Sequence, residues 1–436
     1  MKKVLLQFFM LCLFVGSVRA NKLIVTSAGD HTSSPTIGML RYFVGVATSN
    51  DTITFSVKKV TLFVTIKIDK PINIDGSSMG SVTIDGNKVC QIFDVNLPFD
   101  KAYFKGLNIV NGYINKNDYS WGGGMNVYSP FGKIYIENCT FQGNEAKANG
   151  TSDGQGGAVR SAGGEYRNCY FLDNKITGTS STSGGGGVLS TNDIFINCVF
   201  AGNAAKYAGG LGANSKSKIY NCTFVDNKVT TDESYSIGGL AASASTEIVN
   251  CVAYNNTTSS GRISNIDDSD TNAKVSFCAM ESINKLVGLN NNIALTASPC
   301  KGGTGSDKYS LAAKSPCIDK GTIVGIEVLK KDITGKDRIL DGKIDIGAFE
   351  YSPTISAHEA ILDADFQVYP NPAAATLFIS GVSDITSLSI YDNTGRMLLQ
   401  TNDSSNTINI STLENGIFVL KISTKSGVAT RLFTKY

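Results

Sequence analysis

Two aspartates occupy one slot of a recurring heptapeptide: Asp173 in NCYFLDN (168–174) and Asp226 in NCTFVDN (221–227). Facing carboxylates are what a glycoside hydrolase needs, one to protonate the leaving oxygen and one to activate water or attack the sugar. If the heptapeptides stack as parallel strands, two rungs separate the pair by ~9.6 Å, at the upper edge of the ~6.5–9.5 Å of inverting enzymes. Their slot is a turn, and turns recruit Asp without any catalysis. The turn reading takes precedence, so no catalytic residue is assigned and Asp173 and Asp226 stand only as candidates. A lyase needs a basic residue beside acidic groups that hold Ca²⁺ and neutralise a uronate. Arg160 and Arg167 lie near Asp153 with no acidic cluster to join them. The run KDITGKDRILDGKID carries Asp332, Asp337, Asp341 and Asp345, oxygen ligands of the kind calcium takes. Its interspersed lysines read as a solvated turn, so no cofactor is expected. Zinc lacks its ligands: there is no C-x-x-C, and the histidines are His31 and His358. No nucleophile motif, P-loop or dinucleotide fingerprint occurs, and GGGG at 184–187 precedes no helix.

Aromatics offer a different chemistry, stacking on sugar rings. Tyr113, Tyr119, Trp121, Tyr207 and Tyr235 fall in the variable segments 112–121, 145–154, 175–183, 204–208 and 228–237, and Trp121 is the single tryptophan. Tyr119, Trp121, Tyr207 and Tyr235 are the candidate ligand-binding set. The competing reading is that they pack against neighbouring loops.

The elements that must position these residues follow from the repeat. Aligned on Cys139, Cys169, Cys198, Cys222 and Cys251, each rung has Asn just before the cysteine (Asn138, Asn168, Asn197, Asn221, Asn250) and Asn five after it (Asn144, Asn174, Asn203, Asn227, Asn256). Phe141, Phe171, Phe200 and Phe224 stand two after; Ile136, Tyr166, Phe195, Ile219 and Ile248 stand three before. FKGLNIVNG puts Leu107 in the cysteine slot and VSFCAM puts Cys278 there, giving seven rungs spaced 24 to 32 residues. Such a period means stacked units. Cys and Phe share one strand face, but the residue three before the Cys has the wrong parity for it. A bend must lie between them, and Asn tolerates left-handed backbone. Gly pairs at 122–127, 156–159, 184–189, 209–213 and 238–242 open a third strand. The expected fold is all-β, a right-handed parallel β-helix of about seven or more coils. Stacking turns the cysteines into an inward column and the flanking asparagines (Asn138, Asn168, Asn197, Asn221 and Asn250 with them) into amide ladders. In-register Cβ atoms stay ~4.8 Å apart against the ~3.8 Å a disulfide prefers, so buried free thiols are expected. Cys300 and Cys317 are the candidate disulfide pair.

The chain opens MKKVLLQFFMLCLFVGSVRA, a secretory leader ending at Ala20. No later stretch is long and apolar enough to span a bilayer as a helix. Lys+Arg 39 against Asp+Glu 37 leaves no field for nucleic acid or anionic membrane. Residues 21–351 form the β-helix, with an N-terminal cap over 21–55 and a closure over 281–351; a linker covers 352–365. In the cap, Ile37, Leu40, Val44 and Ala47 fall at helical spacing. Residues 366–436 alternate as Leu388 and Ile390, Ile408 and Ile410, then Ile417, Val419 and Lys421, which reads as a small antiparallel β-sandwich.

Several stretches resemble known families. GGAV (156–159) with FLDN (171–174) is similar to the GGA/FxxN repeat of polymorphic outer-membrane proteins, over about 104–256. LIVTSAGD followed by IDKPINIDG resembles the start of bacterial β-helix proteins, where a short helix plugs the open end. SPCIDKGT with DIGAFEY resembles the closure of bacterial surface β-helices. YPNP (369–372), IYDNTGR (390–396) and LENGIFVLKI (413–422) resemble the type IX secretion sorting domain of Bacteroidetes, with Pro370, Asn371, Pro372, Gly395, Arg396 and Gly416 as its motif residues. That resemblance implies export to the outer-membrane surface or the medium of a Gram-negative bacterium, with the secretion machinery as partner. The functional expectation is a monomeric, non-catalytic adhesin or glycan-binding passenger meeting glycans or host and matrix proteins. The alternative is a polysaccharide lyase or glycoside hydrolase on the same scaffold.

Overall fold

The computed structural model describes residues 22–30, 34–150, 153–179, 184–243, 245–267, 274–281, 285–304, 307–340, 342–352, 366–392, 396–402, 405–424 and 428–436. The leader, nearly all of the linker, both histidines, Asp341 and Gly395 lie outside them. The chain divides into two compact units, the first ending at Tyr351 and the second running Ser352–Tyr436.

The first unit is a parallel β-helix. Three long sheets run its length, of ten, ten and seven strands, every neighbouring pair parallel. One coil gives the pattern. Met125–Tyr128 belongs to the seven-stranded sheet, Lys133–Glu137 to the first ten-stranded sheet and Thr140–Gln142 to the second. The bend between the last two is Asn138, at φ +52°. Asn168, Asn197, Asn221 and Asn250 repeat it at φ +52° to +56°, with Gly106 and Phe277 in the slot at the two ends. Asn fits because its short amide tolerates left-handed backbone. A second left-handed corner follows the Phe slot of each rung (Ala253 in the last), filled by Gly143, Asp173, Gly202, Asp226 and Asn255.

Inside, like sits over like. Phe141, Phe171, Phe200 and Phe224 stack at 5.0, 4.7 and 4.8 Å between ring centroids, close to the rung spacing. The cysteines form a fully buried column of free thiols. Each Sγ donates back to the carbonyl two residues before it and to one on the preceding rung, as Cys169 does to Arg167 (3.3 Å) and Ile136 (3.4 Å). A small apolar side chain with a weak donor suits a corner whose carbonyls turn inward. Burial pushes the Cys139 thiol up to about 12, which keeps that thiol chemically quiet. Cys300 and Cys317 are also free thiols.

Of the two expected amide ladders, one is continuous. It is the asparagine five after each cysteine: Asn144, Asn174, Asn203, Asn227 and Asn256 link Nδ2 to Oδ1 at 2.8–3.0 Å and end on Asn265. The asparagines before the cysteines are corners first. Among the described residues they pair only as Asn197 to Asn168 (3.2 Å) and Asn250 to Asn221 (2.9 Å). Left-handed backbone turns their side chains away from the dry interior, where the other row lies.

Three further expectations are corrected. The cap helix is Leu40–Val46 and buries Leu40, Phe43 and Val44. Ile37 precedes it and is 76% exposed, because Thr36 and Gly38 form the turn that enters the helix. The variable segments are not loops throughout: Tyr113–Asn115, Glu145–Lys147, Lys175–Thr177, Ala204–Ala205 and Lys228–Val229 pair as a five-stranded parallel sheet. Ile114, Ala146, Ile176 and Ala205 pack there as a small core of their own. The closure, finally, does not stop at the end of the stack. After the last rung, Ile293–Leu295, the chain doubles back as a strap along the outside of the second ten-stranded sheet. Ala348 and Phe349 cover Val199 and Ala201, and Ala348 N–H donates to Thr223 Oγ1 at 3.0 Å. Asn197 and Asn250 hold the strap by donating to the Lys331 and Thr322 carbonyls. Beneath it Arg338 is fully buried, 3.5 Å from Glu350, with a further bond to the Asp345 carbonyl.

The second unit has a three-stranded sheet (Gln367–Tyr369, Thr376–Ser380, Thr407–Asn409) and a four-stranded one (Ile385–Tyr391, Met397–Thr401, Gly416–Thr424, Val428–Lys435), all antiparallel. Leu377, Ile379, Leu388, Ile390, Ile408, Ile410, Phe418, Leu420, Ile422 and Phe433 form its core. In Gly416–Thr424 the inward set is Phe418, Leu420 and Ile422. Ile417 is 62% exposed, so the expected set Ile417, Val419 and Lys421 is the outer face, one residue out of register.

Candidate functional site

The seven-stranded sheet turns Phe93, Met125, Val159, Val188, Leu211 and Leu240 inward. Its outward row, in register, is Lys67, Asp94, Asn126, Arg160, Leu189, Gly212 and Ala241. The row changes from charged and polar to small and apolar along the stack.

Beside it the coil makes an excursion. The strand Tyr119–Trp121 pairs with Asp153–Gln155. Ser120 is buried, and its Oγ accepts from Lys116 N–H at 3.0 Å. Gln91 Nε2 donates to the carbonyls of Trp121 (2.6 Å) and Gly122 (2.7 Å). Alternation then fixes the aromatic faces: Ser120 points in, Tyr119 and Trp121 point out. Their rings lie 4.9 Å apart, and Tyr119 is 55% exposed. The guanidinium of Arg160 sits 4.7 Å from the Trp121 ring centroid and 5.9 Å from that of Tyr128. Such a cation–π contact orients Arg without using its N–H donors. Burial lowers the Arg160 pKa below its ordinary value.

Trp121, Tyr119, Asn115, Asp118, Asp94 and Asn126 line a cleft of about 710 Å³. Asn126 Nδ2 donates to Asp94 Oδ1 at 2.9 Å. Two buried polar atoms at this wall have no partner: Trp121 Nε1, a donor, and Asn126 Oδ1, an acceptor. An unmade buried hydrogen bond costs ~1–3 kcal/mol.

The other binding candidates, Tyr207 and Tyr235, form a second pair at 5.8 Å, with Tyr207 39% and Tyr235 59% exposed. They lie further along the same side of the stack. Arg160, Asp94 and Asn126 were not in the sequence-derived binding set. They are outward residues of a strand whose register, once set by the Gly pairs, marks them.

Asp173 and Asp226 are brought to one corner row two rungs apart, with Gly202 between them. Asp226 Oδ1 accepts from Asn255 Nδ2 at 2.6 Å, and both carboxylates act on Lys308 of the strap. They are therefore remote in the coil from the aromatic cleft. In the acidic run, Asp332 turns to backbone N–H groups of Thr334, Lys336 and Glu350, and Asp345 to those of Asp319 and Tyr351. Asp337 is exposed and pairs with Lys331 at 2.8 Å. Arg167 pairs with Glu165 and Glu327 rather than with Asp153. Among the described residues no group of three or more His, Cys, Asp or Glu is placed to share a metal ion.

In the second unit, the Tyr369–Pro370 and Asn371–Pro372 bonds are cis. Asn371 Oδ1 accepts from Thr434 N–H at 2.9 Å. Arg396 donates to Asp392 through its backbone N–H (3.0 Å) and Nε (3.1 Å). Arg396 and Gly416 share the wall of a cleft of about 380 Å³. Residues 367–435 match the family model for the secretion system C-terminal sorting domain. The C-terminal unit is a type IX sorting domain. Type IX export carries its passenger to the cell surface or beyond it, and no helix among the described residues is long and apolar enough to cross a membrane.

No curated protein matches the chain. Among solved structures it is similar to the pectate lyase Pel9A, at 12% identity over 77% of this chain and 98% of that one, with a TM-score of 0.35. It is similar to the alginate lyase AlyGC at 13% identity, over 71% of this chain and 60% of the other, with a TM-score of 0.21. A tailspike protein of an Escherichia coli O157:H7 bacteriophage gives 10% identity over 95% and 68%, with a TM-score of 0.26. The passenger of the type IX sorting domain is the parallel β-helix of the first unit.

Proposed function

We propose that the exported β-helix is a non-catalytic, glycan-binding surface protein whose site is the cleft beside Tyr119 and Trp121. One observation carries the reading: the indole of Trp121 and the polar side chains of Asp94, Asp118 and Asn126 line one cleft with an exposed tyrosine ring. A sugar presents a C–H face for the tyrosine and hydroxyls for the polar side chains of the cleft wall. Arg160 stands next to the cleft against the Trp121 ring, and its charge-assisted donors there favour units bearing a carboxylate or sulfate. Asp94, held by Asn126, accepts from further hydroxyls.

The test uses the full chain without residues 1–20, passed over immobilised hyaluronan, alginate, polygalacturonate, cellulose and xylan. Retention on at least one, lost in Trp121→Ala while the thermal midpoint holds, supports the reading. No retention on any overturns it. New reducing ends or unsaturated-uronate absorbance overturns the non-catalytic part and makes the protein a hydrolase or lyase.

A further inference from the structure

The cleft does not end where its first aromatic pair ends. Trp121 pairs in register with Gln155, and Gln155 bridges to Gly184. On the next rung stands Tyr207: a methyl group placed on Gly184 would meet the Tyr207 ring at 3.4 Å. Trp121, Gln155, Gly184 and Tyr207 therefore form one row along the stack, with the aromatic ends three rungs, or ~14 Å, apart. The floor beside this row is Asn126, Arg160, Leu189 and Gly212. Leu189 leans over Gly212, since a Cβ there would lie 2.7 Å from Leu189 Cδ1, and it also borders Gly184. The passage between the aromatic pairs thus lacks a side chain at 184. Beyond it an apolar shelf, Leu189 with Tyr207 and Tyr235, sits on an otherwise small-residue surface.

We propose that Tyr207 and Tyr235, over Leu189, are a second stacking subsite, and that the ligand is a linear glycan lying parallel to the stack and bridging both pairs. This rests on the glycan-binding reading of the first cleft. The rung spacing of ~4.8 Å is close to the length of one pyranose unit in an extended chain. An unbranched polymer therefore keeps step with the coils, and about three units cover the gap. A second weak contact on the same chain acts at high effective concentration, so affinity rises steeply once the ligand is long enough to reach it.

The experiment is calorimetric titration of the full chain lacking residues 1–20 with di-, tetra- and hexasaccharides of hyaluronan, polygalacturonate and cellulose. In the series that binds, affinity should rise roughly tenfold from disaccharide to hexasaccharide, the worth of one stacking contact. Tyr235→Ala should bring the hexasaccharide down to the disaccharide level and leave the disaccharide unchanged. Gly184→Leu should do the same by filling the passage, because Gly184 is not in left-handed backbone and its nearest contact is ordinary. Equal wild-type affinities for all lengths, with Trp121→Ala still abolishing binding, would overturn the second subsite and leave the first standing. A length dependence that survives both variants would overturn it too. Failure of every series to bind would overturn the function itself.

Discussion

Replacing Asn203 with alanine should be among the costliest single changes in the β-helix. Asn203 is fully buried in the middle of the amide ladder. Its Oδ1 accepts from the backbone N–H and the Nδ2 of Asn174, both at 3.0 Å. Its Nδ2 donates to the Phe171 carbonyl at 2.8 Å and to Asn227 Oδ1 at 2.9 Å. Alanine leaves two buried donors on Asn174 unmade. At ~1–3 kcal/mol for each stranded group the loss is ~2–6 kcal/mol. Asn144 provides the internal control. It begins the ladder and makes the same two donations, to Ile109 and Asn174, but its Oδ1 accepts only from Gly112 N–H. Asn144→Ala strands one donor and should cost ~1–3 kcal/mol. The side-chain volume removed is the same, so the difference isolates the second stranded donor. Urea denaturation followed by far-UV circular dichroism, with midpoints and slopes for both variants, measures it. An Asn144→Ala loss equal to or larger than that of Asn203→Ala would refute the reasoning, since position in the ladder would then carry no energy.

Other outcomes follow. Burial raises the Glu350 pKa from its ordinary 4.5 to about 8, with Asp345 and Asp332 adding to it and Arg338 opposing. The folded chain then holds a proton that the unfolded chain releases near pH 4.5, so this residue's contribution declines as pH rises from about 4.5 to 8 and is level above. Glu350→Gln should flatten the change in urea midpoint between pH 5 and pH 8; an unchanged slope would remove Glu350 as its source. Thiol titration of the chain lacking residues 1–20 should find all nine described cysteines free once denatured, and in the folded state essentially none of the buried column. A mass unaltered by reductant would agree; a two-proton gain on reduction would show that Cys300 and Cys317 are bridged. Arg160→Gln should weaken binding of an acidic oligosaccharide about tenfold, as a charge-assisted bond is lost, and change a neutral one little; equal losses in titration would show that Arg160 is a packing residue.

The stack was legible because its period is repeated and each slot carries one physical demand. Left-handed backbone asks for Asn or Gly at 138, 168 and 197, and a dry column asks for Cys and Phe. What escaped was written only once or in residues with two readings. Ile114, Ala146, Ile176 and Ala205 each fall two residues after a ladder slot and marked the extra sheet, but small residues in Gly- and Ser-rich segments look like loop. The strap left its trace on the surface it covers: Thr140 and Gln142 give way on later rungs to Tyr170 and Leu172, then Val199 and Ala201, then Thr223 and Val225, then Val252 and Tyr254. Outward apolar residues announce a cover without saying which segment provides it. The register of Gly416–Thr424 was misread because Ile417 to Leu420 are apolar on both parities, and only pairing with Ile385–Tyr391 decides which face is dry. In the candidate site the aromatics were recognisable by type. Arg160, Asp94 and Asn126 were not, because their meeting depends on which coils become neighbours.

The asparagine row has a polarity. In every link the lower rung donates and the higher rung accepts, from Asn144 through Asn256 to Asn265. The amides are therefore arranged head to tail, as peptide groups are in an α-helix, and each polarises the next. Their donor ends face the C-terminal rungs, where partial positive charge accumulates. There Asn265 Nδ2 donates to Glu281 Oε2 at 2.8 Å, and the same oxygen accepts from Asn255 N–H. A carboxylate thus closes the positive end of a dipole built from side chains. In a stack of strands, whose backbone dipoles lie along the axis but alternate in direction and largely cancel, the asparagines supply the axial field that a helix draws from its backbone.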